Sequence, residues 1–328
     1  QAKIMKDATN SGTKTYNISD TAVNISTGVG TDSVVIKTAG TVNASTSALA
    51  SEADIIAGLS KSVTYSIADT TANIVGANST TLNQAVNIVC TTSATVAQAT
   101  TIDNASNSGT NTYSIVDTDA NIAAAGNALL STATTVTVSD STNASETSAT
   151  VEEANTIAAL NQAVTYSILD TAANIAGANQ AALNKAVDIT ATTDATLAQA
   201  IIIYNATNSN NKVYNVTDTI ENIVTGVSSN NAVIQGATTV TATTYANKAQ
   251  ANTVGADTKA IVFTIRDTAN NLHTTNSAAL NKAVNLIATT DATIEEATTI
   301  DNATNSGTNT YSINDTAAAI SGSSDAFV

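Results

Sequence analysis

Apolar positions in this chain alternate for a few residues, switch to a helical period, and then start again. In residues 113–116, Tyr113 and Ile115 fall on one face of an extended segment, with Ser114 and Val116 on the other. Asp117-Thr118 then ends the strand and offers a side-chain acceptor to a following helix. The alanine-rich run after it places Ile122 toward a core, and Gly126 is expected to turn the chain out of the helix. Cap, short helix and turn thus follow each short strand.

The same phrase begins at Tyr16, Tyr65, Tyr113, Tyr166, Tyr214, Phe263 and Tyr311, with spacings of 49, 48, 53, 48, 49 and 48 residues. A second strand-like phrase lies inside the units, as Val86-Asn-Ile88, Val136-Thr-Val138, Val187-Asp-Ile189 and Val284-Asn-Leu286. Ile67 to Ile88 is 21 residues and Ile88 to Ile115 is 27, so each unit divides into two coils of about 24 residues. Coils of that size hold about one strand and one short helix each. Self-similarity at this period predicts an α/β solenoid of tandem repeats with short parallel strands and short α-helices. One domain over residues 1–328 is expected, with about seven repeats and the last truncated. An all-β right-handed β-helix is the alternative; the alanine-rich runs 122–128 and 172–182 favour helices.

A longer rhythm lies over the first. Asn-Ser-Gly-Thr-Lys-Thr-Tyr at 10–16 returns with one change at 107–113 and 305–311, and as a variant at 208–214. Leu-Asn-(Gln/Lys)-Ala-Val at 82–86, 183–187 and 280–284 keeps that beat, so two kinds of unit alternate in a tandem of about a hundred residues.

Stacked coils place like residues over like. Seven of the ten aromatics occupy the Tyr/Phe position, which reads as a structural ladder. Asp20, Asp69, Asp117, Asp170, Asp218, Asp267 and Asp315 read as helix caps. Asn24, Asn73, Asn121, Asn174, Asn222 and Asn271 form a further column, lost at Ala319. They are expected to be buried and bonded to open backbone groups of turns, by analogy with the asparagine of leucine-rich repeats.

Composition narrows the functions. A net charge of -15 and a pI near 4.1 argue against nucleic acid and anionic lipid as partners. With 43% hydrophobic residues but only 3% aromatics, the chain can fill a thin core of Ala, Val, Ile and Leu. Proline is absent, and the single cysteine excludes an internal disulfide framework. The low lysine content and absent disulfides fit an extracellular protein. No apolar run approaches the length of a membrane span, so no membrane insertion is expected, and Gln1 is not preceded by a basic leader.

Candidate chemistry is sparse. His273 sits six residues after Asp267, where other copies carry Ser26, Val75, Ala123, Ala176, Val224 and Ser321, so it reads as a tolerant slot. Cys90 aligns with Ala191 and Ala288 and reads as a small buried residue. No catalytic triad or metal-spaced cluster can be assembled, so the chain is not expected to be an enzyme and needs no cofactor. Ca²⁺ on the recurring aspartates is the alternative to capping, although no Gly-Asp nonapeptide or EF-hand loop occurs. Glu152-Glu153 and Glu295-Glu296 occupy one register and suit a helix N-terminus. Thr-x-Thr pairs at 135–137 and 239–241 raise ice binding, but they are not sustained from coil to coil. Glycosylation sequons occur at Asn17, Asn24, Asn43, Asn78, Asn104, Asn143, Asn205, Asn215 and Asn302.

At the level of Tyr-Ser-Ile-x-Asp-Thr-Ala-Ala-Asn-Ile, the chain resembles the Ala/Thr/Asn-rich repeat regions of large secreted bacterial surface proteins, surface-layer-like and giant-adhesin-like. The closing Asp325-Ala-Phe-Val328 resembles the C-terminus of type I secretion substrates. This resemblance implies secretion and a scaffold role. Residues 10–25 already read as a full repeat and the seventh unit stops at Ile320, so neither end reads as capped. The expected function is a secreted structural protein that self-assembles head-to-tail into an extracellular filament, sheath or surface layer. The alternative is an adhesin segment that binds a glycan or a surface through its loop face.

Overall fold

In the computed structural model, residues 1–31, 33–139 and 148–323 are described. The sequon at Asn143 and the terminal motif at 325–328 lie outside them. Contacts group the chain into two compact units, one of Gln1–Ala149 with Thr156–Tyr166 and one of Thr150–Asn155 with Ser167–Val328.

The fold is α/β, with several small sheets whose strands pair in parallel. In the first unit Ile67–Asp69 pairs with Ile88–Cys90, and Ile88–Cys90 with Asn111–Thr112. Asn111–Thr112 then runs through Tyr113-Ser114 straight into Ile115–Asp117, which opens the next sheet. A bridge between Ala94 and Ile115 joins the two sheets at that point. The rungs of this unit therefore follow one another at Ile18, Val42, Ile67, Ile88, Ile115, Val136 and Val164. The second unit repeats the scheme at Ile168, Ile189, Val216, Val240, Ile265, Leu286 and Ile313. Parallel pairing requires a crossover between successive strands, and the short helices supply it.

The helices depart from one per coil. Between Ile67–Asp69 and Ile88–Cys90 lie two, Thr71–Gly76 and Ser79–Gln84, while the next crossover holds only Val96–Asp103. The break falls where Ala77 and Asn78 turn extended, and Asn78 N–H leaves its own helix to donate to Asp54 Oδ1 at 3.2 Å. Gly126 also differs from expectation. Ala125 ends the helix in extended geometry, Gly126 starts the next at φ -69, and no described glycine has positive φ. These helices end by extending the chain instead of by a left-handed glycine turn.

The core is the inward face of the rungs and the helix residues behind it. Ile67, Ile88, Ile115, Ile189 and Ile265 are fully buried, as are the helix residues Ile74, Ile122 and Ile175. The aromatic column is buried at Tyr16, Tyr65, Tyr113, Tyr166, Tyr214 and Phe263, and half-buried at Tyr311. A buried phenol needs a partner. Tyr65 donates to Thr81 O at 2.7 Å, Tyr214 to Val233 O at 2.8 Å and Tyr16 to Val35 O at 2.8 Å, so the ring tips tie sheet to helix. Tyr113 instead shares its hydroxyl with Thr132 Oγ1 at 2.6 Å. Burial pushes the phenols of Tyr65, Tyr113, Tyr166 and Tyr214 up to about 12.

The opposite face of the rungs points outward. In the second unit its mid-strand positions are Leu169, Thr190, Val213, Thr217, Thr241, Val262, Arg266, Ile287 and Thr310, with one charge among them.

Candidate functional site

The most extensive polar constellation among the described residues is the one that recurs at every Asp-Thr pair. The strand ends at Asp because the chain must turn into a helix whose first amides need acceptors. The N-cap itself is threonine: Thr70, Thr118, Thr171, Thr219, Thr268 and Thr316 each accept from the amide three residues on. The capping role assigned to Asp20, Asp69, Asp117, Asp170, Asp218, Asp267 and Asp315 is therefore corrected in position. The aspartate lies one residue before the cap, and its carboxylate works in two directions.

Asp218 shows the geometry. Its Oδ1 accepts from Thr219 N at 2.7 Å and from Asn222 Nδ2 at 2.8 Å. Its Oδ2 accepts from Leu197 N at 2.9 Å, the first amide of the helix Leu197–Asn205 in the preceding coil. Asp69, Asp117, Asp170, Asp267 and Asp315 take Ala50 N, Val96 N, Val151 N, Lys248 N and Ile294 N in the same way, at 2.8–3.0 Å. Asp20 holds Thr21 N at 2.8 Å and Asn24 Nδ2 at 2.9 Å. The converse bond also runs between coils, since Thr71 N, Ala172 N, Ile220 N and Ala269 N donate to threonine hydroxyls 21 to 24 residues later.

Electrostatics follow from these donors. At Asp69, Asp170, Asp218 and Asp267 partial burial works to raise the carboxyl pKa, but the converging N–H groups outweigh it and hold it below the usual value. At Asp20 the Asn24 amide, and at Asp315 the Ile294 amide, lead the same downward shift.

The asparagine column is corrected too. Asn73, Asn121, Asn174 and Asn222 are exposed, and their side chains donate to the Asp carboxylate four residues earlier at 2.8–2.9 Å, not to turn backbone. Turn backbone is served by other asparagines. Asn107, Asn208 and Asn305 donate to Val86 O, Val187 O and Val284 O of the neighbouring coil at 2.9–3.0 Å. Asn83, Asn184 and Asn281 accept amides from the next coil at 2.9 Å.

Glu153 and Glu296 prove to be the N3 members of capping boxes with Thr150 and Thr293, where other coils use Gln98 with Thr95 and Gln199 with Thr196. At Leu49 only the return half is made, Glu52 Oε2 accepting from Leu49 N at 3.0 Å. The Thr-x-x-(Glu/Gln) spacing was the sequence signal. The lysines were missed. Lys61 reaches Lys37 O and Ala39 O, and Lys282 reaches Gly255 O and Asp257 O at 2.8 and 2.7 Å, so they cap helix C-termini one coil away.

His273 bonds Thr299 Oγ1 through Nδ1 at 2.7 Å and has Nε2 3.9 Å from Glu295 Oε1. Cys90 is half-buried, and burial pushes its thiol pKa up. No three His, Cys, Asp or Glu side chains come together to hold a metal ion among the described residues. No described helix is long and apolar enough to cross a membrane. Grooves of about 610, 350 and 530 Å³ recur on the helical side among the described residues. Their walls include the pairs Asp170/Asn174, Asp69/Asn73 and Asp267/Asn271. No family model, curated protein or solved structure matches the chain.

Proposed function

We propose that this chain is a secreted structural repeat protein, a tandem solenoid that stacks end to end into an extracellular filament, sheath or layer. One observation carries the reading. Each coil is joined to the next by the same few bonds, from an aspartate or threonine of one coil to the first helical amide of its neighbour. Parts so interchangeable within one molecule are suited to joining two molecules, and a contact of that heterologous kind need not close on itself. Most of the chain's distinctive polar residues serve this joining, which supports a structural role over catalysis. The test is negative-stain electron microscopy of the purified protein with sedimentation velocity over a concentration series. Strands that lengthen with concentration support the reading; a monomer in every salt and calcium condition overturns it.

A second reading, an adhesin segment, is favoured by the three equivalent grooves. Their shared Asp and Asn side chains suit a neutral glycan, which would bind several times per chain. Glycan-array binding lost on Asn73→Ala/Asn174→Ala/Asn271→Ala, with folding unchanged, supports it.

A further inference from the structure

We propose that the outward sheet face of the second unit is a lateral docking surface for the same face of a second copy of this chain. Parallel sheets are ordinarily covered on both sides, and here the helices cover one. Of the five large apolar side chains exposed among the described residues of this unit, four lie on this side: Leu169 at 38%, Val213 at 45%, Tyr245 at 54% and Val262 at 48%. Three are mid-strand residues, and Tyr245 stands in the turn beside them with its ring centroid 5.5 Å from Arg266 Cζ. These apolar side chains alternate with Thr190 and Thr241 along the face, and their bias to this side makes it the candidate interface.

Charge selects the occupant. The chain carries 26 acidic residues against 11 basic ones, so two copies repel wherever carboxylates meet. The mid-strand positions of this face carry none. Asp194 and Asp291, in the turns after Ile189–Ala191 and Leu286–Ala288, border it, and Asp194 is tied down by Thr217 Oγ1 at 2.7 Å and Asn215 Nδ2 at 3.0 Å. Asp188 likewise accepts Asn211 N at 2.9 Å. Rung spacing selects it further, since another copy repeats the same interval at every rung. Three-residue strands such as Ile189–Ala191 alternate with longer runs such as Lys212–Val213 with Val216–Asp218. Seven rungs at about 4.8 Å, presenting roughly 15 Å each on average, offer about 500 Å² per copy. Two copies bury roughly 1,000 Å², the lower end of what a specific interface needs. The face closes on itself by a two-fold operation, so it pairs chains or strands side by side. It goes beyond the end-to-end reading and does not need it.

The experiment compares the full chain with Val213→Asp/Val262→Asp and with Val213→Lys/Val262→Lys, by sedimentation velocity and electron microscopy. Both positions are solvent-exposed, and circular dichroism verifies folding; Thr190→Lys/Thr241→Lys is the second variant pair. Expected is lateral pairing in the wild type, weakened tenfold or more by either sign of charge, with strand length along the stack unchanged. If end-to-end stacking fails, a closed dimer sensitive to the same substitutions still identifies the face. A wild type that never pairs laterally, or pairing indifferent to these substitutions, overturns the proposal. Thermal hysteresis of an unpaired wild type, lost in the variants, assigns the face to ice and overturns it as well.

Discussion

Replacing Asp218 by Asn isolates what its charge contributes, because the two side chains have nearly the same shape. All three partners of the carboxylate are donors: Thr219 N, Asn222 Nδ2 and Leu197 N. An amide has one acceptor oxygen. If that oxygen keeps Thr219 and Asn222, the new NH₂ faces Leu197 N–H, donor against donor. Losing one charge-assisted bond and leaving a part-buried helix amide unmatched costs about 1.5–3 kcal/mol. Asp218→Ala removes all three bonds and should cost somewhat more, about 2–4 kcal/mol. The assay is urea unfolding followed by circular dichroism at pH 7 and near pH 3. The folded carboxyl lies below its unfolded value of about 3.9, so its stabilisation is full above that value and is lost as pH falls through the folded one. The deficit of Asp218→Asn should therefore be present at pH 7 and shrink at pH 3. An Asn variant as stable as wild type at pH 7, or a deficit that does not change with pH, refutes the reasoning.

Tyr214→Phe keeps the ring and deletes the bond to Val233 O, so unfolding should show a loss of about 1 kcal/mol. Gly255→Ala should cost about 1–3 kcal/mol, because a Cβ there would lie 2.6 Å from Ala279 Cα and Cβ on the neighbouring helix. His273→Ala should leave stability within about 0.5 kcal/mol, read by the same unfolding curve, since its slot tolerates Ser, Val or Ala in the other copies.

What was legible in the sequence was whatever recurs from one repeat to the next. The aromatic column, the alternation around Ile67 or Ile115, and the Asp-Thr break all showed as period, because each holds the same place in a repeated strand-and-helix phrase. What stayed hidden was the partner of each polar group. Asp117 followed by Thr118 reads as one cap, but only coordinates reveal that Asp117 Oδ2 reaches Val96 N, 21 residues back. The asparagine column was seen and misassigned for the same reason. A donor to Asp117 four residues earlier and a donor to turn backbone leave the same spacing, and only exposure separates them. The second helix at Ser79–Gln84 was obscured because Gly76 signals the exit from one helix and not the start of another; a bond from Asn78 to Asp54 helps fix the break.

The absence of proline, odd in isolation, follows from the same bonding. Each coil is held to the next by backbone amides that donate sideways, in strands, in turns and at helix starts. Ser106, Thr207 and Thr304 give their amides to Asn83, Asn184 and Asn281 one coil back. Thr110 and Thr308 give theirs to Asn87 and Asn285 at 2.9 and 2.8 Å. Even the first helical amide, ordinarily free and the usual seat for proline, is taken here by a neighbouring coil's Asp or Thr. A proline at any of these sites removes the donor and leaves an acceptor unmatched. Asparagine and threonine, which donate and accept across the gap between coils, then fill the turns that proline shapes in other proteins. The unusual composition is in this sense the chemical record of a chain whose turns are bonded sideways to their neighbours at every level.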